Sequence, residues 1–190
     1  MSEVESTAGC SAQVISESIL NEFKPIRVVD VGCGTGVLLY ALKEHGCICF
    51  GLENSSAALN LCRTRGLDVR KFDLGHDILA KDIETFDVAI CMEVAEHLPK
   101  KFANRLIDLL TILSPITVFT AATPGQGGKD HINEKPHDYW IDKFGSHGFR
   151  YDLKLSQTWR HQWEMKNVTG FYQRNLMIFR QIESPNPTII

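Results

Sequence analysis

Hydrophobic and polar positions along the chain follow two periods, one typical of buried strands and the other of amphipathic helices. Short runs, most of them apolar, predict strands that are covered on both faces. The predicted strands of the first two thirds of the chain are, in order, "IRVVDV", "CICFGLE", "LDVRKFD", "FDVAICME" and "ITVFTAAT". Segments with apolar residues three or four positions apart lie between them and predict helices.

The helices are predicted from this spacing and from their stop signals. The first, "SAQVISESILNEF", ends before Pro25, and the next two, "GVLLYALKEHG" and "NSSAALNLCRTRG", end at Gly46 and Gly66. An amphipathic helix, "LPKKFANRLIDLLTIL", precedes the fifth strand, and a Gly-rich loop followed by the helix "HDYWIDKFGSHG" comes after it. The last two strands are predicted within "FRYDLKLS" and "YQRNLMIFR", with little helix between them.

Strands that alternate with helices require crossover connections, which produce a parallel sheet with helices on both faces. The closing pair of strands, with its short connection, predicts an antiparallel edge. The expected fold class is therefore α/β: a doubly wound, Rossmann-like sheet of seven strands, mostly parallel with an antiparallel C-terminal edge. The pattern shows no internal repeat or linker, so we expect a single domain over residues 11–182, a disordered segment at 1–10 and a flexible tail at 183–190.

The composition of the 190-residue chain, 44% hydrophobic and 23% charged, is ordinary for a soluble globular protein. No apolar run approaches the roughly 18 residues that span a membrane. The polar, acidic start "MSEVESTAGCSAQ" does not resemble a secretory signal peptide, so we expect a cytoplasmic protein. The six cysteines form no C-x-x-C pair and are expected to be reduced rather than to form disulfides or a zinc site. The net charge of −3 disfavours nucleic acid as a partner.

A dense glycine motif follows the first predicted strand. The stretch "VVDVGCGTG" (Val28–Gly36) has glycines at every second position, between a strand and a helix. At this point a doubly wound sheet binds nucleotides, and glycines there allow positive φ and close approach of a ligand. The spacing G-x-G-x-G differs from the G-x-G-x-x-G of dinucleotide-binding proteins. Acidic residues at Asp30 and Glu53, on the first two strands, strengthen the prediction of a ligand site.

These features together resemble the class I S-adenosylmethionine-dependent methyltransferases over about residues 11–180. "DVGCGTG" matches the first motif of that family, "GLE" the acidic residue after strand two, "KFDL" the acidic position after strand three and "DVAICMEVAEHLP" the segment at the end of strand four. The ordered set at the usual intervals is more specific than any one motif. The resemblance implies an enzyme that uses S-adenosylmethionine.

The resemblance also implies which residues would hold the cofactor. The glycine turn would pass against the methionine tail and ribose, with Asp30 ordering the turn and the ammonium end. Glu53 would accept hydrogen bonds from both ribose hydroxyls, because a carboxylate offers two oxygens. Asp73 would accept from the adenine amino group, although Asp77 in "FDLGHD" is a second candidate, and Leu74 would pack on the ring. The implied cofactor-binding residues are Asp30, Gly32, Cys33, Gly34, Gly36, Glu53, Asp73, Leu74 and Glu93.

The stretch "MEVAEHLP" (Met92–Pro99) offers metal-ligand chemistry. Glu93, Glu96 and His97 are spaced i, i+3, i+4, which would place them on one face of a helical turn, and carboxylate with imidazole can bind a divalent metal. With His131 they resemble the sets of small-RNA 3′-end 2′-O-methyltransferases and ubiquinone-pathway O-methyltransferases. E-x-x-E-H also occurs in relatives without an evident metal, where the Glu contacts the cofactor region and the His packs at the helix start. We favour this second interpretation and expect no metal.

The loop after strand five carries the candidate for acid–base chemistry. The string "TPGQGGKDHINEKPHDYWIDKFGSHGF" resembles small bacterial-type methyltransferases of natural-product and sugar-modification pathways, in which a His-x-Asn borders the acceptor. His131 is the predicted general base, because imidazole titrates near working pH. The structural alternative is a loop histidine that bonds a backbone carbonyl. Trp159, Trp163 and Tyr172 would either cover an acceptor or pack in the core.

The predicted function is thus methyl transfer from S-adenosylmethionine to a hydroxyl or amine of a small-molecule acceptor. Two alternatives stay open at this point: a metal-dependent RNA ribose 2′-O-methyltransferase, and a non-catalytic S-adenosylmethionine-binding partner subunit. The net charge of −3 and the lack of a basic tract disfavour the first. The intact set of cofactor positions disfavours the second.

Overall fold

The computed structural model describes residues 3–77 and 84–182, with side chains from residue 9 onward, and these residues form a seven-stranded sheet flanked by helices. The strands are β1 (Arg27–Val31), β2 (Ile48–Glu53), β3 (Asp68–Lys71), β4 (Val88–Met92), β5 (Ile116–Thr120), β6 (Phe149–Tyr151) and β7 (Met177–Gln181). Their order across the sheet is β3-β2-β1-β4-β5-β7-β6. Strands β1 to β5 pair in parallel, whereas β7 runs antiparallel to β5 and β6. The predicted fold class is confirmed.

The helices of the described residues are α1 (Glu3–Phe23), α2 (Val37–Glu44), α3 (Ser56–Thr64), α4 (Ala103–Leu113), α5 (His137–Ser146), α6 (Leu153–Met165) and α7 (Gly170–Asn175). Two 3₁₀ turns, Ala95–His97 and Lys100–Phe102, connect β4 to α4. Among these helices none combines the length and the apolar character that crossing a bilayer requires.

The sheet separates two hydrophobic layers because successive strand residues point to opposite faces. One layer packs the strands against α4 and α5 and contains, among others, Val29, Phe119, Trp140 and Phe144. The other packs them against α1, α2 and α6 and contains, among others, Val28, Val118, Trp159 and Trp163. Burial on both faces explains why the central strands are nearly continuous apolar runs.

The structure differs from the sequence-based expectation at both ends of the domain. Helix α1 already begins at Glu3, within the segment 1–10 that we expected to be disordered. The expectation of little helix between the last two strands is wrong, because α6 and α7 lie between β6 and β7. Asp152 directly follows the short strand β6 and caps α6, since its carboxylate accepts a hydrogen bond from Leu155 N at 3.2 Å. The predicted tail at 183–190 lies outside the described residues.

The parallel pairing brings three chain segments to one edge of the sheet. Val31 at the end of β1 pairs with Leu52, one residue before the end of β2. Strand β4 lies on the other side of β1 and ends at Met92. The glycine turn, Glu53 and Glu93 follow or end these strands, so they meet at the carboxyl edge, where doubly wound sheets bind their ligands.

Candidate functional site

The three glycines of the turn after β1 serve different purposes. All have positive φ, at 79° for Gly32, 52° for Gly34 and 75° for Gly36. A Cβ on Gly32 would lie 2.4 Å from Val94 Cγ2, and one on Gly36 would lie 2.4 Å from Leu67 Cδ1. At Gly34 no described atom lies within 4 Å of the Cβ position. The outer glycines therefore make room for the protein itself, and the middle one faces open space.

Two pockets flank the glycine turn. The first, here called the Asp73 pocket, has a volume of about 360 Å³, and its lining includes Glu53, Phe72, Asp73, Leu74, Val94 and His97. The second, here called the Asp30 pocket, has a volume of about 300 Å³, and its lining includes Asp30, Cys33, Thr35, Leu38, Met92 and Tyr172. Gly32, Gly34 and Glu93 line both, so the two pockets share a border. Gly36 is in neither lining.

Glu53 is held firmly at the end of β2. Its Oε2 accepts a hydrogen bond from Gly34 N at 2.9 Å, and its Oε1 accepts one from Ser55 N at 2.7 Å. Ser55 in turn caps α3. A carboxylate oxygen can accept more than one hydrogen bond, so each oxygen retains capacity for a ligand donor. Glu53 is thus an oriented acceptor in the wall of the Asp73 pocket.

Asp73 and Asp77 share one turn, but only Asp73 lines the pocket. Asp73 accepts hydrogen bonds from His76 Nδ1 at 3.0 Å and from Gly75 N at 2.8 Å, and these lower its pKa. Asp77 instead accepts from Asp73 N at 2.7 Å. Asp77 therefore stabilises the turn, and of the two candidates Asp73, with Leu74 beside it, is the one placed to meet a ligand.

Asp30 lies near the end of β1 at the wall of the Asp30 pocket and is 5% exposed. Burial raises the pKa of its carboxyl to about 7, and the negative charge of Glu53 adds to the effect. A ligand cation next to Asp30 would favour the ionised form and lower this pKa again. The position suits an ammonium group better than a carboxylate.

Glu93, directly after β4, is clamped by two amide side chains that the sequence analysis missed. Its Oε2 accepts from Gln126 Nε2 at 2.9 Å, and its Oε1 accepts from Asn175 Nδ2 at 3.0 Å. Asn175 Nδ2 also donates to Gln126 Oε1 at 2.7 Å. Gln126 lies in the loop after β5 and Asn175 ends α7, so three distant segments meet here. No sequence motif marks either amide.

The two pockets are acidic. Asp30, Glu53, Asp73 and Glu93 contribute to their walls, and none of the described lining residues is a lysine or an arginine. Burial raises the pKa of Tyr172, and the negative charges around it, Glu93 first, add to the effect. Such a site attracts cations and repels phosphate groups.

Of the four predicted metal-ligand candidates, the structure brings three together. One ligand atom from each of Glu96, His97 and His131 lies within 4.8 Å of the others. Glu93 is not part of this group: it lies before the 3₁₀ turn with a φ of 53°, and Gln126 and Asn175 hold its carboxylate, although that carboxylate also lies beside Glu96. The expected single helical face is therefore wrong. Glu96 is fully buried, which together with the charge of Glu93 raises its pKa to about 8.

His131 lies beside the Asp73 pocket, but it is not among the described lining residues of either pocket. Its Nδ1 lies 3.1 Å from Glu134 Oε1, and its ring meets the ring of His97 edge-on with centroids 4.9 Å apart. A Cβ on Gly128 would lie 2.4 Å from His131 Nε2, so the backbone of this loop covers that nitrogen. His131 is thus oriented by a carboxylate, and the alternative of a bond to a backbone carbonyl is wrong for Nδ1.

Glu134, which the sequence analysis also missed, organises the Gly-rich loop. Besides His131 it accepts hydrogen bonds from Gly127 N at 2.7 Å and Gly125 N at 2.8 Å. The bond with His131, followed by that with Gly125, lowers the pKa of Glu134. The recognisable signal is an acidic residue three positions after a loop histidine.

The asparagine of the His-x-Asn string anchors the loop to the 3₁₀ turn after β4. The backbone N–H groups of Ile132 and Asn133 both donate to Glu96 O, at 2.9 and 3.0 Å. The side chain of Asn133 is buried and donates to Ala95 O at 3.2 Å. The loop therefore holds His131 beside His97 through the backbone, and Asn133 faces the protein interior.

The aromatic candidates separate into two groups. Trp159 packs against Phe23 of α1 with ring centroids 5.6 Å apart, and Trp163 donates from Nε1 to Ser18 Oγ at 2.9 Å. Both tryptophans are buried in the core, which is the packing role. Tyr172 is the aromatic residue of the three that lines a pocket.

Comparisons with known proteins agree with this geometry. The family model described as "Methionine biosynthesis protein MetW" matches residues 14–114. The "Ubiquinone biosynthesis O-methyltransferase" of Hahella chejuensis (strain KCTC 2396) is 30% identical over 144 residues, which cover 73% of this chain and 55% of that protein. The chain therefore spans about half the length of this curated relative.

Solved methyltransferase structures share the fold. Magnesium protoporphyrin IX methyltransferase from Synechocystis PCC 6803, solved with bound SAH, superposes with a TM-score of 0.67 at 18% identity, covering 97% of this chain and 89% of its own. The sugar N-methyltransferase KedS8 from Streptoalloteichus sp. ATCC 53650 also gives a TM-score of 0.67, at 16% identity, covering 93% and 88%.

Proposed function

The chain belongs to the family of methionine biosynthesis protein MetW. From the geometry of the two pockets we propose that it is an S-adenosylmethionine-dependent methyltransferase that acts on a hydroxyl or amine of a small-molecule acceptor. The relative and the solved neighbours named above carry O- and N-methyltransferase names, which supports this reaction class. The unpaired state of the six cysteines favours the cytoplasm, and the net charge of −3 favours a small acceptor over nucleic acid.

The observation that carries the proposal is the acidic pair of pockets around Gly34. The adenosine part of the cofactor fits the Asp73 pocket, where Glu53 offers two oriented oxygens to ribose hydroxyls and Asp73 and Leu74 are placed for the adenine. The methionine part fits the Asp30 pocket, where Asp30 faces its ammonium group. The cofactor carries two cationic centres, which the acidic walls complement, whereas the phosphates of a dinucleotide or of ATP would be repelled.

When bound, the cofactor supplies a methyl group on a sulfonium that is already a good leaving group. The protein then has to align donor and acceptor, and alignment alone can contribute on the order of 7–11 kcal/mol. Glu53 and the glycine turn hold one half of the ligand, and Asp30 holds the other. The methyl group is thereby fixed at the border between the pockets, next to Glu93.

His131 is the proposed base for the proton that leaves the acceptor. Glu134 accepts from Nδ1, so Nε2 is the nitrogen left to take a proton. Because Gly128 lies over Nε2, the Gly-rich loop has to shift for the acceptor to reach it. Gly125, Gly127 and Gly128 all have positive φ, which gives this loop the freedom to do so.

Calorimetry tests the proposal directly. The wild-type protein should bind S-adenosylmethionine with one site per chain and should show no binding of NAD or ATP at the same concentrations. Turnover on a panel of small hydroxyl and amine acceptors then distinguishes an enzyme from a non-catalytic partner subunit. Binding of NAD or ATP in place of S-adenosylmethionine would refute the proposed ligand class.

A second candidate, the metal-dependent RNA ribose 2′-O-methyltransferase, is favoured by one observation, the cluster of Glu96, His97 and His131. We expect turnover to survive chelation by EDTA, because the carboxylate of Glu93 is occupied by Gln126 and Asn175 and the cofactor pockets are complete without the cluster. Activity lost with EDTA and restored by Mg²⁺, Mn²⁺ or Co²⁺, together with turnover on RNA 3′ ends, would establish the second candidate instead.

A further inference from the structure

Glu93 lies at the border of both pockets. Together with Gly32 and Gly34 it belongs to the lining of each. Under the function proposed above, on which this inference rests, adenosine occupies one pocket and the methionine tail the other, so the sulfur that joins them comes next to Glu93. We propose that Glu93 is the counter-charge of the sulfonium, so that it strengthens binding of the cationic, methylated cofactor and contributes little to binding of its neutral, demethylated product.

The carboxylate of Glu93 is fixed in place. Gln126 and Asn175 hold its two oxygens at 2.9 and 3.0 Å and are themselves joined at 2.7 Å. Asn175 is fully buried at the end of α7. The backbone of Glu93 has a φ of 53°, which non-glycine residues adopt only where the surroundings enforce it. A charge held in this way cannot swing aside when the charge of the ligand changes.

No lysine or arginine shares the described pocket linings with Glu93. The ionisable side chains of the two linings are Asp30, Glu53, Asp73, Glu93, His97, Cys33 and Tyr172. Glu93 receives hydrogen bonds from the neutral amides of Gln126 and Asn175, which orient its carboxylate without adding an opposite charge, and the buried Glu96 lies on the protein side of it. Its field therefore acts on whatever group lies between the pockets.

The other carboxylates face parts of the ligand that do not change during the reaction. Asp30 lines only the Asp30 pocket, beside the proposed position of the ammonium group. Glu53 and Asp73 line only the Asp73 pocket, beside the ribose and adenine. Of the four acidic residues in the walls, Glu93 alone is common to both pockets. It is therefore the residue whose interaction depends on the charge of the sulfur.

This placement gives Glu93 a role in turnover. On transfer, the oxygen or nitrogen of the acceptor would form a bond to the methyl carbon and give up its proton, the bond from sulfur to that carbon would break, and the electron pair would stay on sulfur as a neutral thioether. The attraction to Glu93 would be lost in the same step. The product therefore lacks the contribution of Glu93 to binding, which favours exchange of the spent cofactor for a fresh one.

Calorimetry with both forms of the cofactor, S-adenosylmethionine and S-adenosylhomocysteine, tests the inference without any knowledge of the acceptor. Glu93→Gln should weaken binding of S-adenosylmethionine about tenfold, equivalent to about 1.4 kcal/mol, and change binding of S-adenosylhomocysteine less than about twofold. Gln126→Leu, which frees one oxygen of Glu93, should shift the ratio of the two affinities in the same direction by about threefold. The loss of S-adenosylmethionine affinity in Glu93→Gln should become smaller as salt is added, because salt screens the interaction between the charges.

Asp30→Asn is the matched control, because it removes a carboxylate that faces the unchanging methionine tail. It should weaken both ligands by the same factor. If Glu93→Gln lost affinity equally for both ligands, or lost none, the inference would be overturned while the proposed function would stand. Failure of the wild-type protein to bind either ligand would instead refute the proposed function. If Glu93→Gln does not fold, Gln126→Leu decides alone, and an unchanged ratio in it would overturn the inference.

Discussion

The carboxyl edge of β1 and β2 and the loop after β5 are built in opposite ways. At the carboxyl edge, the ligand-facing groups are consecutive in the chain or end neighbouring strands, as with Gly32, Gly34 and Glu53. Around the loop after β5, the side chains that meet come from three separate segments, as with Glu93, Gln126 and Asn175. The first region directly continues the strands of the sheet, whereas the second depends on a Gly-rich loop held by Glu134.

This difference indicates in which region a substitution should affect cofactor binding and in which region it should affect catalysis. We expect substitutions at the carboxyl edge to alter cofactor affinity, and substitutions in the loop after β5 to alter turnover while affinity remains. Failure of any one of the following predictions would contradict this division of roles.

The largest expected effect is on turnover, in the loop. His131→Ala should reduce kcat by about 10²–10⁴-fold, the usual contribution of a general base. Affinity for S-adenosylmethionine should stay within about twofold, because the described linings of the Asp73 and Asp30 pockets do not include this side chain. His45→Ala, on an exposed histidine after α2, is the control and should change neither quantity. A loss below tenfold with an unchanged pH–rate profile would remove His131 from the base role.

The next largest expected effect is on affinity for S-adenosylmethionine, at the carboxyl edge of β1 and β2. Glu53→Ala should weaken binding of S-adenosylmethionine by about 1.5–3 kcal/mol, the range for hydrogen bonds to a charged group. The reason is loss of the acceptor for the ribose together with loss of the bond to Gly34 N. Calorimetry measures the change, and Glu44→Ala, on the exposed side of α2, should bind normally. Unchanged affinity in Glu53→Ala would exclude Glu53 from the site.

A smaller expected effect tests the role of Glu134 in the loop after β5. Glu134→Gln keeps the shape of the side chain but removes its charge, so His131 loses a charged hydrogen-bond partner at Nδ1. We expect kcat to fall about tenfold with KM little changed, because the imidazole is less firmly oriented. A purely structural role of Glu134 would instead lower the melting temperature and leave kcat of the folded variant unchanged.

The smallest effect concerns pH and Asp30. Burial and the charge of Glu53 raise the pKa of Asp30 to about 7, so the free protein carries this carboxyl partly protonated near neutral pH. A ligand ammonium favours the ionised form, and binding must therefore strengthen as pH rises from about 6 to 8 and weaken below it. We expect a change of several-fold in calorimetric affinity. In Asp30→Asn the dependence should flatten, and a wild-type affinity independent of pH would contradict the assignment.

The parts of the molecule that could be predicted from sequence are those with short-range signals. The glycine spacing and the acidic strand ends predicted a ligand site at the carboxyl edge, where the two pockets lie. The choice of Asp73 over Asp77 is supported by the pocket lining, which contains only Asp73. Helix α6 was missed although Leu155, Trp159 and Trp163 recur every four residues and Asp152 caps the start. The expected helical face of Glu93, Glu96 and His97 failed because Glu93 adopts a left-handed φ. Gln126 and Asn175 could not be predicted, since only the tertiary fold brings them to Glu93.

The central claim, that S-adenosylmethionine binds around the glycine turn, is tested most directly by comparing two glycine variants. Gly34 and Gly46 both have positive φ, and at both the Cβ position is free of described neighbours within 4 Å, so a valine strains the backbone at each. Only Gly34 borders the pockets. Gly34→Val should bind S-adenosylmethionine at least about 100-fold more weakly than the wild type, while Gly46→Val binds normally at a similar loss of melting temperature. Normal binding by a folded Gly34→Val protein would contradict the account.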